Sequence, residues 1–518
     1  MTLWNYIKFS IHSPLIKHSI LWSIIITFLF ALAYPPISLW PFGLLGFGIF
    51  VFKLYTMDFV SKWQPGWFFF ATSFGLNVLG IHWISYTFNE FAGLNVFLSA
   101  TLSILMFLSF SIISFVFGTV WGATAKKYRN WLVLLILIIL WDFLDFRFFQ
   151  WSPFQVVASD KYLLASVFKL STWGWRILFY FCSLLIAMSF FYKNFKTKII
   201  LSFSVVFTFC FAYFLGVNSY KQLNIEYPYR QKVVLVQGNV GNNHKKLAKL
   251  GIIPTIENVL KIHEGLYEKI INDFAFNNWD TSAAWYFWPE TAYPTVIRGE
   301  NDEFLQNIYS KFYKLVNDLT GGVHLVGAYE ADYYNFNSKN TKFDFNVIAL
   351  INNYGELVDT YKKSIRIPFG EYIPGDKLWP KAYKYLPAVN HLGKGEVQKG
   401  LYVNLLSDTV YFPLICFEIL NERYINRFFK KLKATHKNKQ FIMVNPANDS
   451  WYGKSTEPRL HSVLARWQAA RLGLPMVRPT NTGFSQVVAP WGEVLAEGPW
   501  FEITTIYGDL PVKFKSDK

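Results

Sequence analysis

The sequence predicts two unlike parts in series: a polytopic α-helical membrane domain over residues 1–219, then an extracytoplasmic α/β domain over residues 220–518. Three observations carry this reading. Of 518 residues, 53% are hydrophobic and only 16% are charged, whereas an ordinary soluble domain carries about a quarter charged residues. The apolar residues concentrate in long runs that end near Val217. Beyond that point short β-rich runs alternate with helical patterns, which is the pattern of an α/β fold.

A helix that crosses a bilayer needs about 20 mostly apolar residues. Seven runs are candidates: Ile20–Tyr34, Leu39–Tyr55, Trp67–Phe88, Val96–Gly122, Trp131–Phe148, Trp173–Tyr192 and Ile199–Val217. The first is followed at once by another and shows no clear small-residue cleavage site, so it reads as a span and not as a signal peptide. Lys8 and Lys17 precede the first run. Lys53 and Lys62 follow the second, Lys126, Lys127 and Arg129 the fourth, and Lys193, Lys196 and Lys198 the sixth. The intervening loops Pro35–Ser38 and Asn89–Asn95 carry no Lys or Arg. This alternation places the N-terminus in the cytoplasm, and an odd number of spans places everything after Val217 outside it. The connection Gln150–Thr172 mixes Lys161 and Lys169 with aromatic residues and is expected along the outer surface as an amphipathic segment. Asp142, Asp145 and Arg147 at the end of the fifth run are expected to form a structural ion pair.

The formal charge of +16 could in principle serve nucleic acid. No zinc-finger spacing or other recognition motif supports that, and much of the first half's excess sits in short inter-span loops, where it reports orientation. There is no HExxH, no Cys/His cluster and no phosphate-binding glycine loop. Neither a metal nor a cofactor is expected, and no nucleic-acid partner.

In the second half the runs 232–240, 284–292, 323–331, 345–352, 356–364, 410–418 and 439–448 read as strands, with helices at Asn301–Leu319 and Pro458–Leu472. Three chemically apt residues lie at or near strand ends: Glu290 in Trp288-Pro289-Glu290, Lys363 in the run toward Pro368-Phe369-Gly370-Glu371, and Cys416 in Leu414-Ile415-Cys416-Phe417-Glu418. Loops at strand ends of α/β sheets converge on one rim, where ligands bind. A cysteine is a strong nucleophile once a neighbour takes its proton. A carboxylate can take it, and an ammonium can stabilise the oxyanion that forms. Taken singly each residue has a duller reading: a strand-end cysteine usually packs in a core, a lysine near a turn is usually surface, and Pro-Glu after a strand is usually a turn. Cys182 and Cys210 lie within apolar runs and read as small hydrophobes. The odd, sparse count argues against a disulfide framework.

The words VQGNV (236–240), WPETAYP (288–294), YKKSIRIPFGEYIP (361–374), LICFE (414–418), NDSWYG (448–453) and RPTNTG (478–483) make the second half resemble the nitrilase superfamily. With the apolar runs ahead of it, the whole chain resembles the apolipoprotein N-acyltransferases of that superfamily. The resemblance implies an αββα sandwich with Glu290 as base, Lys363 as oxyanion cation and Cys416 as nucleophile. The spacing to Pro368 aligns the catalytic lysine with Lys363 and not Lys362. Glu371 would orient or charge-balance Lys363, and Asn346, Phe417, Glu418 and Trp451 would support the pocket. The implied reaction moves an acyl chain from a phospholipid, typically phosphatidylethanolamine, through a Cys416 thioester to the α-amine of a diacylglyceryl-cysteine apolipoprotein. The implied place is a bacterial inner membrane, with the catalytic domain periplasmic. Three features depart from the family pattern. The chain ends in a polar tail at Asp517-Lys518 instead of a further span, so the C-terminus is expected outside. Arg471 stands where a glutamate is common. The stretch Asn242–Ile253 lacks an expected aromatic and should form a different lid. The competing readings are a membrane-anchored amidase with the same three residues, an inactive scaffold, and a transporter. The intact Glu290, Lys363 and Cys416 oppose the scaffold. The absence of a midplane charge array opposes the transporter.

Overall fold

The computed structural model describes residues 14–57, 61–144, 151–241, 245, 252–297, 322–331, 344–385, 389–404 and 407–514. They fall into two compact units: Met1–Ser85 with Asn95–Tyr220, and Tyr86–Leu94 with Lys221–Lys518.

The first unit is helical. Its helices are α1 (Pro14–Ala33), α2 (Trp40–Thr56), α3 (Trp63–Ile81), α5 (Val96–Ala123), α6 (Trp131–Leu144), α7 (Lys161–Phe191) and α8 (Phe195–Glu226), with α4 (Ile84–Ala92) leading into the second unit. Within the described residues each predicted apolar run is mainly helical, the fifth being described only to Leu144. Among the described residues three of them, α5, α7 and α8, are long and apolar enough to cross a membrane, and α3 with Ile84–Glu90 forms a fourth candidate bent by 52°. Ser19–Ala33, Trp40–Thr56 and Trp131–Leu144 are shorter apolar helices. The third run is therefore two helices, not one continuous span. The expected surface segment before Thr172 is also different. Residues 153–159 form a buried 3-10 turn, with Val156, Val157 and Ala158 at 2% exposure or less. Asp160 then caps Tyr162 and Leu163 to start α7, which runs on past a break at Ser171. The apolar side chains of this stretch found a core to enter. Asp142 pairs with Arg176 at 2.6 Å across α6 and α7, and Asp145 and Arg147 lie outside the described residues.

The second unit is built on two sheets. The first has the order β11-β1-β2-β3-β4-β5, with β1 (Tyr229–Gln237), β2 (Trp285–Phe287), β3 (Val323–Ala331), β4 (Asp344–Ile351), β5 (Leu357–Lys362) and β11 (Thr504–Val512). The second has the order β10-β9-β8-β7-β6, with β6 (Thr409–Pro413), β7 (Gln440–Val444), β8 (Met476–Arg478), β9 (Gln486–Val488) and β10 (Val494–Glu497). Strand alternation sorts the aromatic run after Ala284 between two faces. Tyr286 and Trp288 pack with Val234 and Val236 under α9 (Ile253–Phe276), against its buried Ile256, Leu260, Ile270 and Phe274. Trp285 and Phe287 point the other way and meet Tyr411 of β6 edge-on, with centroids 5.6 and 6.2 Å apart. Helices α10 (Glu422–Thr435) and α11 (Glu457–Leu472) complete the second sheet's layer. The result is the αββα sandwich.

Several expected strands end early. The run at 284–292 pairs only through Phe287, because Pro289 has no N–H to give a ladder. The run at 410–418 stops at Pro413 and turns into a 3-10 helix over Cys416–Leu420. The run at 439–448 pairs only over Gln440–Val444. The expected helix Asn301–Leu319 lies outside the described residues, as does most of the stretch read as a lid. Helix α9 starts at Ile253, where that lid was expected to end.

Candidate active site

Glu290 lies three residues beyond β2, on a turn held down to β3. The N–H of Trp288 donates to Leu325 O at 2.9 Å and that of Tyr293 to Gly327 O at 3.0 Å. The fit is so close that a Cβ on Gly327 would stand 2.1 Å from Pro289 O and 2.7 Å from Glu290 Cα. Thr291, next to Glu290, has φ +51°, a left-handed conformation costing a non-glycine residue about 1–2 kcal/mol. Lys245 braces this turn: its Nζ donates to Glu290 O at 2.8 Å and Thr291 Oγ1 at 3.2 Å. Burial pushes the Lys245 ammonium down to about 7, against the pull of Glu290. Sequence reasoning missed Lys245. It is one of several lysines in its stretch, and nothing local marks it.

Lys363 follows β5, its N–H donating to Asn346 O at 2.8 Å. Alternation along the strand sends the adjacent lysines to opposite sides. Lys362 reaches Glu330 at 3.4 Å and lies over the Phe345 ring at 4.1 Å. Lys363 turns inward, 1% exposed, and its Nζ donates to Glu371 Oε1 at 2.7 Å and Glu290 Oε1 at 3.2 Å. Asn346 Nδ2 donates to the same Glu290 oxygen at 2.6 Å and the same Glu371 oxygen at 3.4 Å. The other Glu371 oxygen accepts the N–H of Ile367 at 2.8 Å. One ammonium therefore sits between two oriented carboxylates. Burial alone would lower the Lys363 pKa, but Glu290, Glu371 and Cys416 raise it well above the usual lysine value. The side chain stays charged.

Cys416 opens the 3-10 turn with φ +48°. Its N–H donates to Pro446 O at 2.8 Å, and Asn445 Nδ2 donates to its carbonyl at 3.2 Å. Glu418, fully buried, clips this turn to the lysine loop. One oxygen accepts the N–H groups of Ser364 at 2.6 Å and Ile365 at 2.9 Å, and the other accepts Ile415 N–H at 2.8 Å. Tyr361 adds its hydroxyl at 2.9 Å. Burial lifts Glu418 to about 7, opposed by the N–H groups of Ile365 and Ile415, by Lys363 and by Ser364 N–H. The Cys416 thiol is pushed well above its usual value by burial and by Glu290, with Lys363 pulling down and Asp449 and Glu371 pushing up. It rests protonated, so a base must take its proton before it can attack.

Phe417 and Trp451 are half-buried, and the Trp451 carbonyl accepts the Thr87 hydroxyl at 3.0 Å. Arg471, where a glutamate was expected, donates to Gln468 Oε1 at 2.8 Å and Asn426 Oδ1 at 2.6 Å and is structural. Among the described residues, Asp449, Glu457 and His461 bring three metal-type ligand atoms within 4.8 Å of one another. The Arg478 guanidinium, 3.2 Å from Asp449, already supplies the positive charge there. A second cation would face it in a low-dielectric site.

Comparison with known proteins gives the family. Residues 233–514 match the carbon-nitrogen hydrolase family. The chain is 26% identical to the apolipoprotein N-acyltransferase of Bdellovibrio bacteriovorus over 93% of this chain and 86% of that protein. It is 25% identical to that of Vibrio parahaemolyticus, over 92% of this chain and 88% of the other. Since the family match takes in more than half of its residues, the chain belongs to the carbon-nitrogen hydrolase family.

Proposed function

We propose that the chain is an apolipoprotein N-acyltransferase, carrying an acyl group from a membrane phospholipid to the N-terminal amine of a diacylglyceryl-cysteine protein. The observation that carries this reading is the Lys363 ammonium fixed between Glu290 and Glu371 in the electrostatic neighbourhood of the buried Cys416 thiol. Glu290 takes the Sγ proton as Cys416 attacks the ester carbonyl carbon. Lys363 faces the oxyanion of the tetrahedral intermediate. On collapse the ester C–O bond breaks, Glu290 returns the proton to the departing lysophospholipid oxygen, and a thioester remains. The acceptor amine then attacks the thioester. Glu290 takes its proton, the C–S bond breaks, and the proton passes to Cys416. An ester and an amine become an alcohol and an amide. Glu371 keeps Lys363 in place, while Asn346 orients both carboxylates. Phe417 and Trp451 line the pocket in this reading.

The apolar helices of the first unit suit substrates that are both lipid-anchored. The favoured donor is phosphatidylethanolamine. The favoured location is a bacterial inner membrane, with the N-terminus cytoplasmic and the catalytic unit periplasmic. The test is intact mass after incubation with phosphatidylethanolamine. An acyl adduct that hydroxylamine removes, absent in Cys416→Ala, is the expected result. Amide formation persisting in Cys416→Ala would refute the nucleophile. Release of free fatty acid with no transfer to an amine would instead make the chain an anchored hydrolase.

A further inference from the structure

Behind the Cys416 turn runs a line of buried polar side chains that the reaction above does not use. It starts at the nucleophile's own backbone. Asn445 Nδ2 donates to the carbonyls of Leu414 at 2.5 Å and Cys416 at 3.2 Å, where the chain enters the turn. Its Oδ1 accepts from Arg478 Nη1. Arg478 Nη2 reaches both Asp449 oxygens, at 3.4 and 3.2 Å. Asp449 in turn meets His461 Nδ1 at 3.2 Å, and Glu457 lies 3.4 Å from that same nitrogen. Asn445, Asp449, Glu457, His461 and Arg478 are all at most 1% exposed. The chain around them is shaped to admit the contacts: a Cβ on Gly483 would stand 2.0 Å from Asp449 Oδ2.

We infer that His461 is a positioning residue for the nucleophile, holding Asp449 against Arg478 so that Arg478, through Asn445, fixes the carbonyl of Cys416. This rests on the reading of Cys416 as nucleophile. Against the effect of burial, Arg478 holds Asp449 below the ordinary carboxylate range, so Asp449 accepts and His461 Nδ1, 3.2 Å away, donates. The histidine thereby selects one orientation of the Asp449 carboxylate. Arg478 cannot pair well with Asp449 and Asn445 together unless that carboxylate stays put. Asn445 then does what an ordinary turn cannot: it ties the carbonyl of the left-handed cysteine, together with that of Leu414 two residues earlier, to the end of β7 in the second sheet. Left-handed non-glycine residues persist where the surroundings over-determine them, and this line supplies that over-determination. A metal would compete with Arg478 for the same carboxylate, which is why the cluster is assigned to support and not to ligation.

The test uses the full chain, purified, with folded enzyme counted by active-site titration and by melting. His461→Leu removes the donor at similar volume, and His461→Gln restores an N–H toward Asp449. The rate of acyl-adduct formation per folded molecule is measured over a range of phospholipid concentrations. His461→Leu is expected to slow the maximal rate roughly tenfold to a hundredfold, the scale of a misplaced reacting group, with half-saturation unchanged. His461→Gln recovers most of the rate. A merely structural histidine would lower the yield of folded enzyme and leave the rate per folded molecule alone, which overturns the inference. Equal slowing by Leu and Gln overturns it too. If His461→Leu does not fold, Asp449→Asn probes the same line at the next link, where an unchanged maximal rate is the refuting result. Cys416→Ala is run alongside. Turnover there sinks the nucleophile reading itself, whereas a dead Cys416→Ala with an unaffected His461→Leu sinks only the inference.

Discussion

Replacing Lys363 with methionine keeps the apolar stem and removes the charge that two buried carboxylates share. Lys363 is 1% exposed, with Glu371 at 2.7 Å and Glu290 at 3.2 Å. Deleting one partner of a buried pair leaves an uncompensated charge and costs about 3–5 kcal/mol. Here two are left, both bonded to the one Asn346 amide. The neighbouring substitution Lys362→Met is the internal control. That side chain is 30% exposed, with Glu330 at 3.4 Å, and a partly exposed pair is worth about 0–1 kcal/mol. Its place over Phe345 adds roughly 0.5–1 kcal/mol. Lys363→Met should therefore destabilise by at least about 1 kcal/mol more than Lys362→Met. At about 2–4 °C per kcal/mol for a domain of this size class, melting in detergent resolves the two. Adding Glu371→Gln to Lys363→Met should restore about 0.5–3 kcal/mol, since contacting residues couple on that scale. The two lysine variants melting together, or a strictly additive double mutant, would refute the arrangement.

Glu418→Gln has one acceptor oxygen for N–H groups that now bond to both oxygens. At least one is orphaned at about 1–3 kcal/mol, and an unchanged melting temperature would count against the clip. Gly327→Ala would put a Cβ 2.1 Å from Pro289 O, so the Glu290 turn must lift. Acyl-adduct formation should fall sharply, and a wild-type rate would show that the turn is not held there. His263 and His324 are each held down to about 3, His263 by burial and then Lys245, His324 by burial. Both bind a proton near 6.5 when unfolded, so their stability is complete above pH 6.5 and is lost as pH falls from 6.5 toward 3. The loss is about 1.4 kcal/mol per histidine per pH unit. Glu418 and Glu457, lifted to about 7 and about 8, gain stability over the same interval. The check is therefore the comparison of wild type with His263→Phe and with His324→Phe, and a pH dependence from 6.5 to 5.5 that neither substitution changes would refute their neutral burial.

How far the sequence could be read depends on whether a feature is periodic or tertiary. The run Trp285 to Trp288 is apolar on every residue, which marks a strand buried on both faces, and the structure fills both. The same logic separates Lys362 from Lys363, since neighbours on a strand cannot both face the site. It fails at LICFE. Those residues look like more strand, yet Pro413 is the last to pair, and the left-handed Cys416 turn is held by groups outside its own segment: Glu418 accepts the N–H of Ser364, 54 residues away in sequence, and Asn445 donates to the Cys416 carbonyl. The stretch Lys161–Thr172 misled for a related reason. Its charges suggested a surface segment, but the helix that starts at Lys161 continues through Arg176, which is answered by Asp142 at 2.6 Å.

Charge is the property hardest to read locally, because a charged residue is exposed by default and buried only when a distant partner waits for it. Lys245 illustrates this. In its stretch it is one lysine among several, and it becomes part of the site only because Glu290 O and Thr291 Oγ1 lie 2.8 and 3.2 Å from its Nζ. Asp449, His461 and Arg478 make the same point more strongly. Each sits on a different element, and none is fully buried at a tolerable cost without the other two. NDSWYG and RPTNTG are thus two halves of one buried contact, with Gly483 of the second leaving room for Asp449 of the first. Motifs of this kind become interpretable together, once the sheets that carry them are paired.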